Sequence, residues 1–200
     1  MREYYESLWE RLPADLKLPE MERRRAFLVG ELRDGDRVLD LGCGSGFFTQ
    51  VAASAASAAP VVGADVAEAA LARARAAHPD LDFRLVPFDG PLPFGDGEFT
   101  LVWSSEVIEH VADTAQWLSE VRRVLVPRGR LLLTTPDHGR LRLLIGGVER
   151  HSQPLGDHLH LYTARSLREV LGEFGFGEVT VRAAGRAPLL RRTLYARAAR

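Results

Sequence analysis

Hydrophobic and polar positions along the chain follow two alternating patterns. Short apolar runs rich in β-branched residues predict strands, and they fall at 37–41, 60–65, 81–87, 99–105, 130–135, 178–184 and 192–198. Stretches with apolar residues three or four positions apart predict amphipathic helices, at 47–58, 67–78, 110–125 and 164–174. Strands and helices therefore alternate through most of the sequence.

This order of elements predicts an α/β fold. Strands that alternate with helices are joined by right-handed crossovers, which produce a parallel sheet covered on both faces. The last two predicted strands have no helix-length spacer between them, so they are expected to pair antiparallel. We therefore predict a three-layer sandwich around a seven-stranded, mostly parallel sheet with the last strand antiparallel, preceded by helices at about 3–12 and 20–33.

The turn after the first predicted strand is rich in glycine. The segment DLGCGSG places Gly42, Gly44 and Gly46 two residues apart, after a strand that contains Asp40. Glycine lets a turn adopt positive φ and lets a ligand approach the backbone closely. The helix that begins near Phe47 adds unpaired backbone N–H groups on the same side. A ligand is therefore expected to lie against this loop.

Acidic and hydroxyl side chains follow the next three strands. Asp65 ends the second strand, where a carboxylate can accept hydrogen bonds from both hydroxyls of a ribose. Asp89 follows the third strand, placed to accept from an exocyclic amine, and Ser104 and Ser105 end the fourth. Ligands of open α/β sheets bind at the carboxyl ends of the strands. These residues are therefore candidates for one cleft.

The spacing of the glycines separates two classes of nucleotide-binding protein. Dehydrogenases that bind a dinucleotide use G-x-G-x-x-G, whereas here Phe47 stands where the third glycine of that pattern falls. The G-x-G-x-G spacing therefore disfavours a nicotinamide-dependent dehydrogenase, which stays an alternative. A catalytically silent protein that keeps the fold and binds the same ligand is a second alternative.

Five segments together carry a resemblance to a known family. They are VLDLGCGSG, VVGADVAEAALARARA, FDGPLPFGDGEFTLVWSSEVIEHV, LSEVRRVLVPRGRLLLTTP and HLHLYTARSLREVLGEFGF, and they cover about residues 36–176. In content, order and spacing the chain resembles the class I S-adenosylmethionine-dependent methyltransferases, most closely the small-molecule branch called type 11, which includes quinone-biosynthesis enzymes. The resemblance implies a Rossmann-like methyltransferase sheet and methyl transfer to an O, N or C nucleophile of a small molecule. The length of 200 residues suits a single domain over residues 1–200.

The resemblance also implies roles for particular residues. Asp40 and the loop Gly42, Cys43, Gly44 and Gly46 would contact the methionine part of S-adenosylmethionine, and Asp65 would hold its ribose. The adenine would be enclosed by the remaining residues of the set, Val66, Phe88 and Asp89, with Asp89 on its amine. Ser104 or Ser105 would lie beside the amino-acid end. Cys43 itself is interpreted as a small packed residue rather than a nucleophile.

Histidines supply the candidates for proton transfer. The methyl group on a sulfonium is already activated, so alignment and exclusion of water carry most of the mechanism, and a base need only remove one proton. His110 and His160 are the candidate catalytic residues. Residues 136–162 form a long stretch without periodicity, interpreted as an active-site lid. Its histidines, with Asp157, match no metal-binding spacing, so no metal site is predicted.

The N-terminal segment EYYESLWERL places Tyr4, Tyr5 and Trp9 close together on a helix. Two interpretations stay open for these aromatic residues. They form either an ordinary packing face or, by analogy with the family, a cap over cofactor and substrate, so that residues 1–33 would be N-terminal cap helices.

The composition of the chain indicates which classes of partner are expected. The chain has 26 basic and 27 acidic residues and a formal net charge of -1, which disfavours nucleic acid as a partner. The single cysteine, Cys43, cannot form an internal disulfide. No apolar leader region or membrane-spanning run is present in the sequence, so a cytoplasmic protein with a small-molecule methyl acceptor is expected.

Overall fold

The computed structural model describes residues 2–13, 20–55, 60–139, 158–185 and 192–200. The strands are β1 (Val38–Leu41), β2 (Val61–Asp65), β3 (Asp82–Leu85), β4 (Phe99–Ser105), β5 (Leu125–Pro136), β6 (Gly177–Gly185) and β7 (Arg192–Ala199). The α-helices are α1 (Arg2–Arg11), α2 (Met21–Glu31), α3 (Phe47–Ala55), α4 (Glu68–Ala77), α5 (Thr114–Val124) and α6 (Ala164–Glu173). None of the helices among these residues has the length and apolar character needed to cross a membrane.

The strands form one seven-stranded sheet in the order β3-β2-β1-β4-β5-β7-β6. β1 pairs in parallel with both β2 and β4, and β7 pairs antiparallel with both β5 and β6. The predicted α/β sandwich with an antiparallel last strand is therefore confirmed. After β1 the chain continues to β2 and β3 on one side of β1, and it then crosses to β4 on the other side. A topological switch point therefore lies between β1 and β4.

Two layers of helices bury the apolar faces of the sheet. On one face, Leu28 of α2 and Phe48 of α3 pack with Trp103 of β4 in one buried cluster, and α4 packs against Phe83 of β3. On the other face, the apolar stripes of α5 and α6 join the larger cluster through Leu118, Val121, Leu167 and Leu171. Strands such as β1 and β2 are buried along their whole length, which explains their continuous apolar runs.

The segment between β4 and β5 differs from its prediction. A helix was expected over 110–125, but α5 begins at Thr114 because the side chain of Asp113 accepts the N–H of Gln116 and caps it there. The preceding residues Ile108–His110 form a short 3₁₀ turn instead. His110 therefore lies on a tight turn just beyond β4 rather than in the first turn of a long helix.

The lid predicted at 136–162 falls largely outside the described residues. Residues 140–157, which include His151 and Asp157, are not described. Its two described ends lie together, because the backbone N–H of His138 donates to the carbonyl of Tyr162 at 2.8 Å. This pairing brings His138 close to residues 158–162 at the carboxyl edge of the sheet.

Candidate functional site

The glycine loop after β1 presents its backbone at the switch point. The N–H groups of Gly42 and Cys43 donate to the carbonyl of Ala64 in β2, at 2.7 and 3.0 Å. Gly42 has φ +83° and Gly44 has φ +53°, conformations that L-residues other than glycine rarely adopt. The loop is thus tied to β2 and turns sharply toward the first turn of α3.

Gly42→Ala is expected to lower the free energy of unfolding by about 2–4 kcal/mol. A β-carbon at this position would overlap Cγ2 of Val107, in addition to the strain of φ +83°. Chemical denaturation measures the effect, with Gly172→Ala in α6 as the control, since a β-carbon there meets nothing within 4 Å and the free energy should stay equal or rise by about 1 kcal/mol. A Gly42→Ala protein as stable as the wild type would contradict this account of the loop.

Asp65 connects the glycine loop to the start of α4. Its Oδ2 accepts the N–H of Gly44 at 2.9 Å, and its Oδ1 accepts the N–H of Ala67 at 3.0 Å. Burial is the main reason that the pKa of Asp65 is raised, and backbone hydrogen bonds from Ala67, Gly44 and Val66 oppose it. Two carboxylate oxygens offer about four lone-pair positions, one more than these three N–H groups use. Asp65 therefore has acceptor capacity left for a diol ligand.

Asp40 lies beneath the same loop. Its Oδ2 accepts a hydrogen bond of 2.6 Å from the hydroxyl of Thr49 in α3, and the side chain is 2% exposed. Burial, with a further contribution from the charge of Asp65, raises the pKa of Asp40 to about 7. This carboxyl group therefore changes its protonation state near neutral pH. Thr49 was missed by sequence reasoning, although its position in the first turn of α3 was available as a signal.

Helix α1 lies across this cleft. Carbon atoms of the Trp9 indole lie 2.8 and 2.9 Å from the position that a β-carbon on Gly44 would occupy. The Tyr5 ring stacks on Phe88 with centroids 6.1 Å apart, and Glu6 accepts the N–H groups of Glu68 and Ala69 at the start of α4. A ligand that approaches the backbone of Gly44 from this side would therefore have to displace the Trp9 ring.

An open cavity of about 480 Å³ lies elsewhere, at the amino ends of the strands, lined by residues that include Arg37, Pro60, Asp80, Asp82 and Arg84. Ligands of open α/β sheets bind at the opposite, carboxyl edge. We therefore assign the candidate site to the glycine loop and its neighbours, where α1 fills the space.

The other predicted cofactor residues differ in accessibility. Cys43 is buried, and this burial raises the pKa of its thiol, so it agrees with a packed residue rather than a nucleophile. Val66 packs against the main apolar cluster, whereas Asp89 is exposed. Ser104 is 1% exposed and donates its hydroxyl to the carbonyl of Leu41 at 2.9 Å.

The hydroxyl of Ser105 lies 2.9 Å from that of Thr134, which in turn donates to Oε1 of Glu106 at 3.2 Å. Ser105 is thus part of a polar row at the carboxyl ends of β4 and β5. The cofactor roles of both serines stay predictions.

A carboxyl group and two imidazoles meet just beyond β4. One ligand-type atom from each of Glu109, His110 and His158 lies within 4.8 Å of the other two. Glu109 is fully buried; its Oε2 accepts the hydroxyl of Thr135 at 2.9 Å, and its Oε1 lies 3.9 Å from Nε2 of His110. Burial, followed by the charge of Glu106, raises the pKa of Glu109 well above its usual range. The neutral form of this carboxyl group is therefore favoured.

His160 anchors this cluster. Its backbone N–H donates to the carbonyl of Glu109 at 3.1 Å, and its Nε2 lies 3.0 Å from the carbonyl of Val111. Because a carbonyl only accepts, Nε2 of His160 carries a proton and donates. His160 thus fixes the turn that carries His110, and only its Nδ1 is left as a possible proton acceptor.

Sequence reasoning missed an ion pair beside the cluster. Nη2 of Arg24 in α2 lies 3.0 Å from Oε2 of Glu106, and Arg24 is only 3% exposed. Glu106 has φ +57°, a strained value for a residue other than glycine, which often marks a functional site. The sequence did contain a signal for this pair. Arg24 is a charged residue one turn before Leu28, on the apolar face of the predicted helix.

Comparison with known sequences supports the resemblance. A family model described as a methyltransferase domain matches residues 8–181. A probable S-adenosylmethionine-dependent methyltransferase of Mycolicibacterium smegmatis is 36% identical over 143 residues, which are 71% of this chain and 52% of that protein. The 27-O-demethylrifamycin SV methyltransferase of Amycolatopsis mediterranei is 38% identical over 108 residues, 51% of this chain and 39% of that protein. The chain thus spans about half the length of these relatives or less.

Solved structures share the fold. An S-adenosylmethionine-dependent methyltransferase from Mesorhizobium loti matches with a TM-score of 0.71 and 25% identity, over 94% of this chain and 100% of that one. The phosphoethanolamine N-methyltransferase 2 of Haemonchus contortus, in complex with S-adenosyl-L-methionine, matches in fold with a TM-score of 0.75 and 20% identity, over 90% of this chain and 52% of that one. By its sequence, its sheet and its glycine loop, the chain belongs to the methyltransferase-domain family of S-adenosylmethionine-dependent proteins.

Proposed function

We propose that the chain transfers a methyl group from S-adenosylmethionine to a nucleophilic atom of a small molecule, with His110 as the proton acceptor. The observation that carries the proposal is the position of His110. It lies on the turn directly beyond β4, the strand next to β1 and its glycine loop. The candidate cofactor site and the candidate base therefore lie on the two sides of one switch point.

The residues present fit the cofactor. Gly44 leaves the space that a β-carbon would occupy, and Trp9 now lies in it. Asp65 is a carboxylate with acceptor capacity left for a ribose hydroxyl, and Asp40 lies below the loop that would receive the methionine part. When bound, S-adenosylmethionine supplies a methyl group already activated by a sulfonium sulfur. Phe88 and Val66 are proposed for the adenine and Asp89 for its amine.

The chain's own contribution is alignment, exclusion of water and proton acceptance. Helix α1 covers the cleft through Trp9, Tyr5 and Glu6, so its return after binding would exclude solvent. Tyr5 also meets His110 edge to face, with ring centroids 6.3 Å apart. This contact links the proposed cap to the proposed base. The relative from A. mediterranei, named for methyl transfer at an oxygen, supports a small-molecule acceptor.

Two measurements test the proposal. Titration calorimetry with S-adenosylmethionine and S-adenosylhomocysteine should show saturable binding of both, and NADH should not bind. Transfer of a labelled methyl group to a panel of small hydroxyl, amine and carbon-acid compounds should then give product with at least one class. Absence of binding would overturn the cofactor assignment, whereas binding without transfer to any of the panel would favour the catalytically silent alternative.

Cofactor binding is expected to release a proton from Asp40. The pKa of Asp40 is raised to about 7 in the free protein, chiefly by burial, and the cationic amino group of the cofactor would lower it. Because the bound state then holds fewer protons, the association constant for S-adenosylhomocysteine should rise about tenfold from pH 6 to pH 8. Calorimetry in buffers of different ionisation enthalpy counts the proton. Asp40→Asn should abolish the release, and an unchanged count in that variant would contradict the assignment.

A further inference from the structure

Two buried hydrogen-bond donors lie near the carboxyl edge of the sheet without an acceptor. Nε of Arg24 and the hydroxyl of Tyr195 are both buried, and neither has a hydrogen-bond partner among the described residues. Arg24 is 3% exposed and Tyr195 is 9% exposed. A buried donor that is left unpaired is costly, so such groups in folded proteins usually meet an oxygen of water or of a ligand.

The two donors belong to one pocket between α2 and the sheet. Thr134 of β5 pairs directly with Tyr195 of β7, which places their side chains on the same face, about 5 Å apart. The Thr134 hydroxyl donates to Oε1 of Glu106, whose Oε2 lies 3.0 Å from Nη2 of Arg24. Phe27, one turn after Arg24, meets the Tyr195 ring edge to face, with centroids 5.4 Å apart. These contacts therefore form a closed circuit that begins and ends at Tyr195.

The charges around the Tyr195 hydroxyl balance one another. Burial is the main reason that the pKa of Tyr195 is raised, and four charged side chains also act on it, namely Arg24, Glu20, Glu106 and Arg23. Two of them are cationic and two are anionic, so the pocket carries no net charge. A carboxylate in this pocket would add an uncompensated buried charge, whereas an uncharged oxygen would not.

The pocket also borders the proposed cofactor site. Glu106 directly precedes Val107, whose Cγ2 takes up the space that a β-carbon on Gly42 would need. The side chain of Glu106 is 24% exposed, so this carboxylate forms the open side of the pocket. A small molecule bound beside the glycine loop at the end of β4 can therefore place an oxygen past Glu106 and against the two buried donors.

We propose that Arg24 and Tyr195 together bind a carbonyl oxygen of the methyl acceptor. This carbonyl pocket, formed by Arg24, Glu106 and Tyr195, rests on the proposed function and narrows its substrate class to uncharged compounds that carry a ketone, amide or ester group. The carbonyl oxygen accepts the Nε–H of Arg24 with one lone pair and the O–H of Tyr195 with the other. Both donors are then satisfied, and the ion pair of Arg24 with Glu106 stays in place.

The carbonyl pocket and His110 have different tasks. His110 acts on the atom that receives the methyl group, whereas the carbonyl pocket holds a group of the acceptor that does not react. An interaction that is equally strong in the bound substrate and in the transition state lowers KM and leaves kcat unchanged. Tyr195 is therefore a specificity-determining residue rather than a catalytic one.

Acetophenone and benzoate test the carbonyl pocket, because they present an uncharged carbonyl and a carboxylate on the same ring. With the protein saturated by S-adenosylhomocysteine, acetophenone should shift the ¹⁵Nε signal of Arg24 and the ¹³Cζ signal of Tyr195, and benzoate should shift both several-fold less. Tyr195→Phe keeps the ring and its contact with Phe27, and it should weaken acetophenone binding about two- to tenfold. The control is Tyr162→Phe, which removes a hydroxyl in the other apolar cluster and should bind acetophenone normally.

An ordered water molecule is the other group that can satisfy both donors. In that case neither probe would shift the two signals, and Tyr195→Phe would alter thermal unfolding alone, which would overturn the proposal. An equal response to acetophenone and benzoate would overturn it as well. For the acceptor found by screening, Tyr195→Phe should raise KM at unchanged kcat, and an acceptor without a carbonyl oxygen would contradict the carbonyl pocket. Failure of the proposed function would appear separately, as absence of S-adenosylhomocysteine binding in calorimetry.

Discussion

His110→Gln is expected to lower turnover by about 10²–10⁴-fold, the range that a positioned general base contributes. Glutamine keeps a similar size but cannot take up the proton released by the acceptor. His110 is partly buried and lies beside Glu109, with Nε2 3.9 Å from Oε1. The acceptor releases its proton only during methyl transfer, so the loss of this proton acceptor should appear in kcat.

Single-turnover transfer of a labelled methyl group to the acceptor found by screening measures this effect. The affinity for S-adenosylhomocysteine should stay within about twofold of the wild type, because no cofactor role is assigned to His110. The control is His78→Gln, which replaces a histidine at the C-cap of α4 and should turn over normally. Unchanged turnover in the His110 variant would leave alignment as the whole mechanism.

The sheet, and the meeting of Asp40, Asp65 and the glycine loop at one of its edges, could be predicted because they depend on local patterns. Continuous apolar runs identify buried parallel strands, and the residue that ends each strand must lie at the carboxyl edge. Asp40, Asp65 and the glycine loop meet there for that reason alone. Their hydrogen bonds in the structure, from Gly44 and Ala67 to Asp65 and from Thr49 to Asp40, agree with the predicted placement.

The contacts of the histidines and of Glu106 could not be predicted in the same way. The bond between His138 and His158 joins residues 20 positions apart, and the pair of Arg24 and Glu106 joins α2 to the end of β4. Such contacts follow from how loops and added helices fold over the sheet. Periodicity does not encode such contacts, so they could not be predicted from the sequence.

The N-terminal helix illustrates a second limit. The aromatic cluster of α1 permitted either a packing face or a cap, and both descriptions fit what the structure shows. Trp9 packs on Gly44, and Arg73 of α4 donates to the carbonyl of Leu12 at 2.8 Å while its guanidinium lies 5.9 Å from the Trp9 ring centroid. The same Trp9 ring covers Gly44 of the glycine loop. A helix that packs on the glycine loop therefore also covers it. The role of residues 1–33 as a cap stays a proposal.

Because α1 covers the cleft in this structure, substitution of Asp65 is the most stringent test of the proposed cofactor site. Asp65→Ala is expected to weaken S-adenosylhomocysteine binding by about 10²–10⁴-fold. Two hydrogen bonds to a charged carboxylate are lost, each contributing about 1.5–3 kcal/mol. The variant also leaves the N–H groups of Gly44 and Ala67 without their acceptor. Calorimetry gives the affinity, and thermal unfolding without ligand separates it from any loss of stability.

Two further variants make this result specific to the ribose. Asp65→Asn keeps the shape and one acceptor oxygen, so its affinity should lie between those of Asp65→Ala and the wild type. Glu68→Gln removes an exposed carboxylate three residues further on, whose surface ion pair with Arg75 contributes little, and it should bind normally. If the charge alone attracted the cofactor, Glu68→Gln would weaken binding too. If Asp65 merely fixed the loop, adenosine would lose no more affinity in Asp65→Ala than 2′,3′-dideoxyadenosine, which lacks both hydroxyls. A loss confined to adenosine would therefore identify Asp65 as the ribose acceptor.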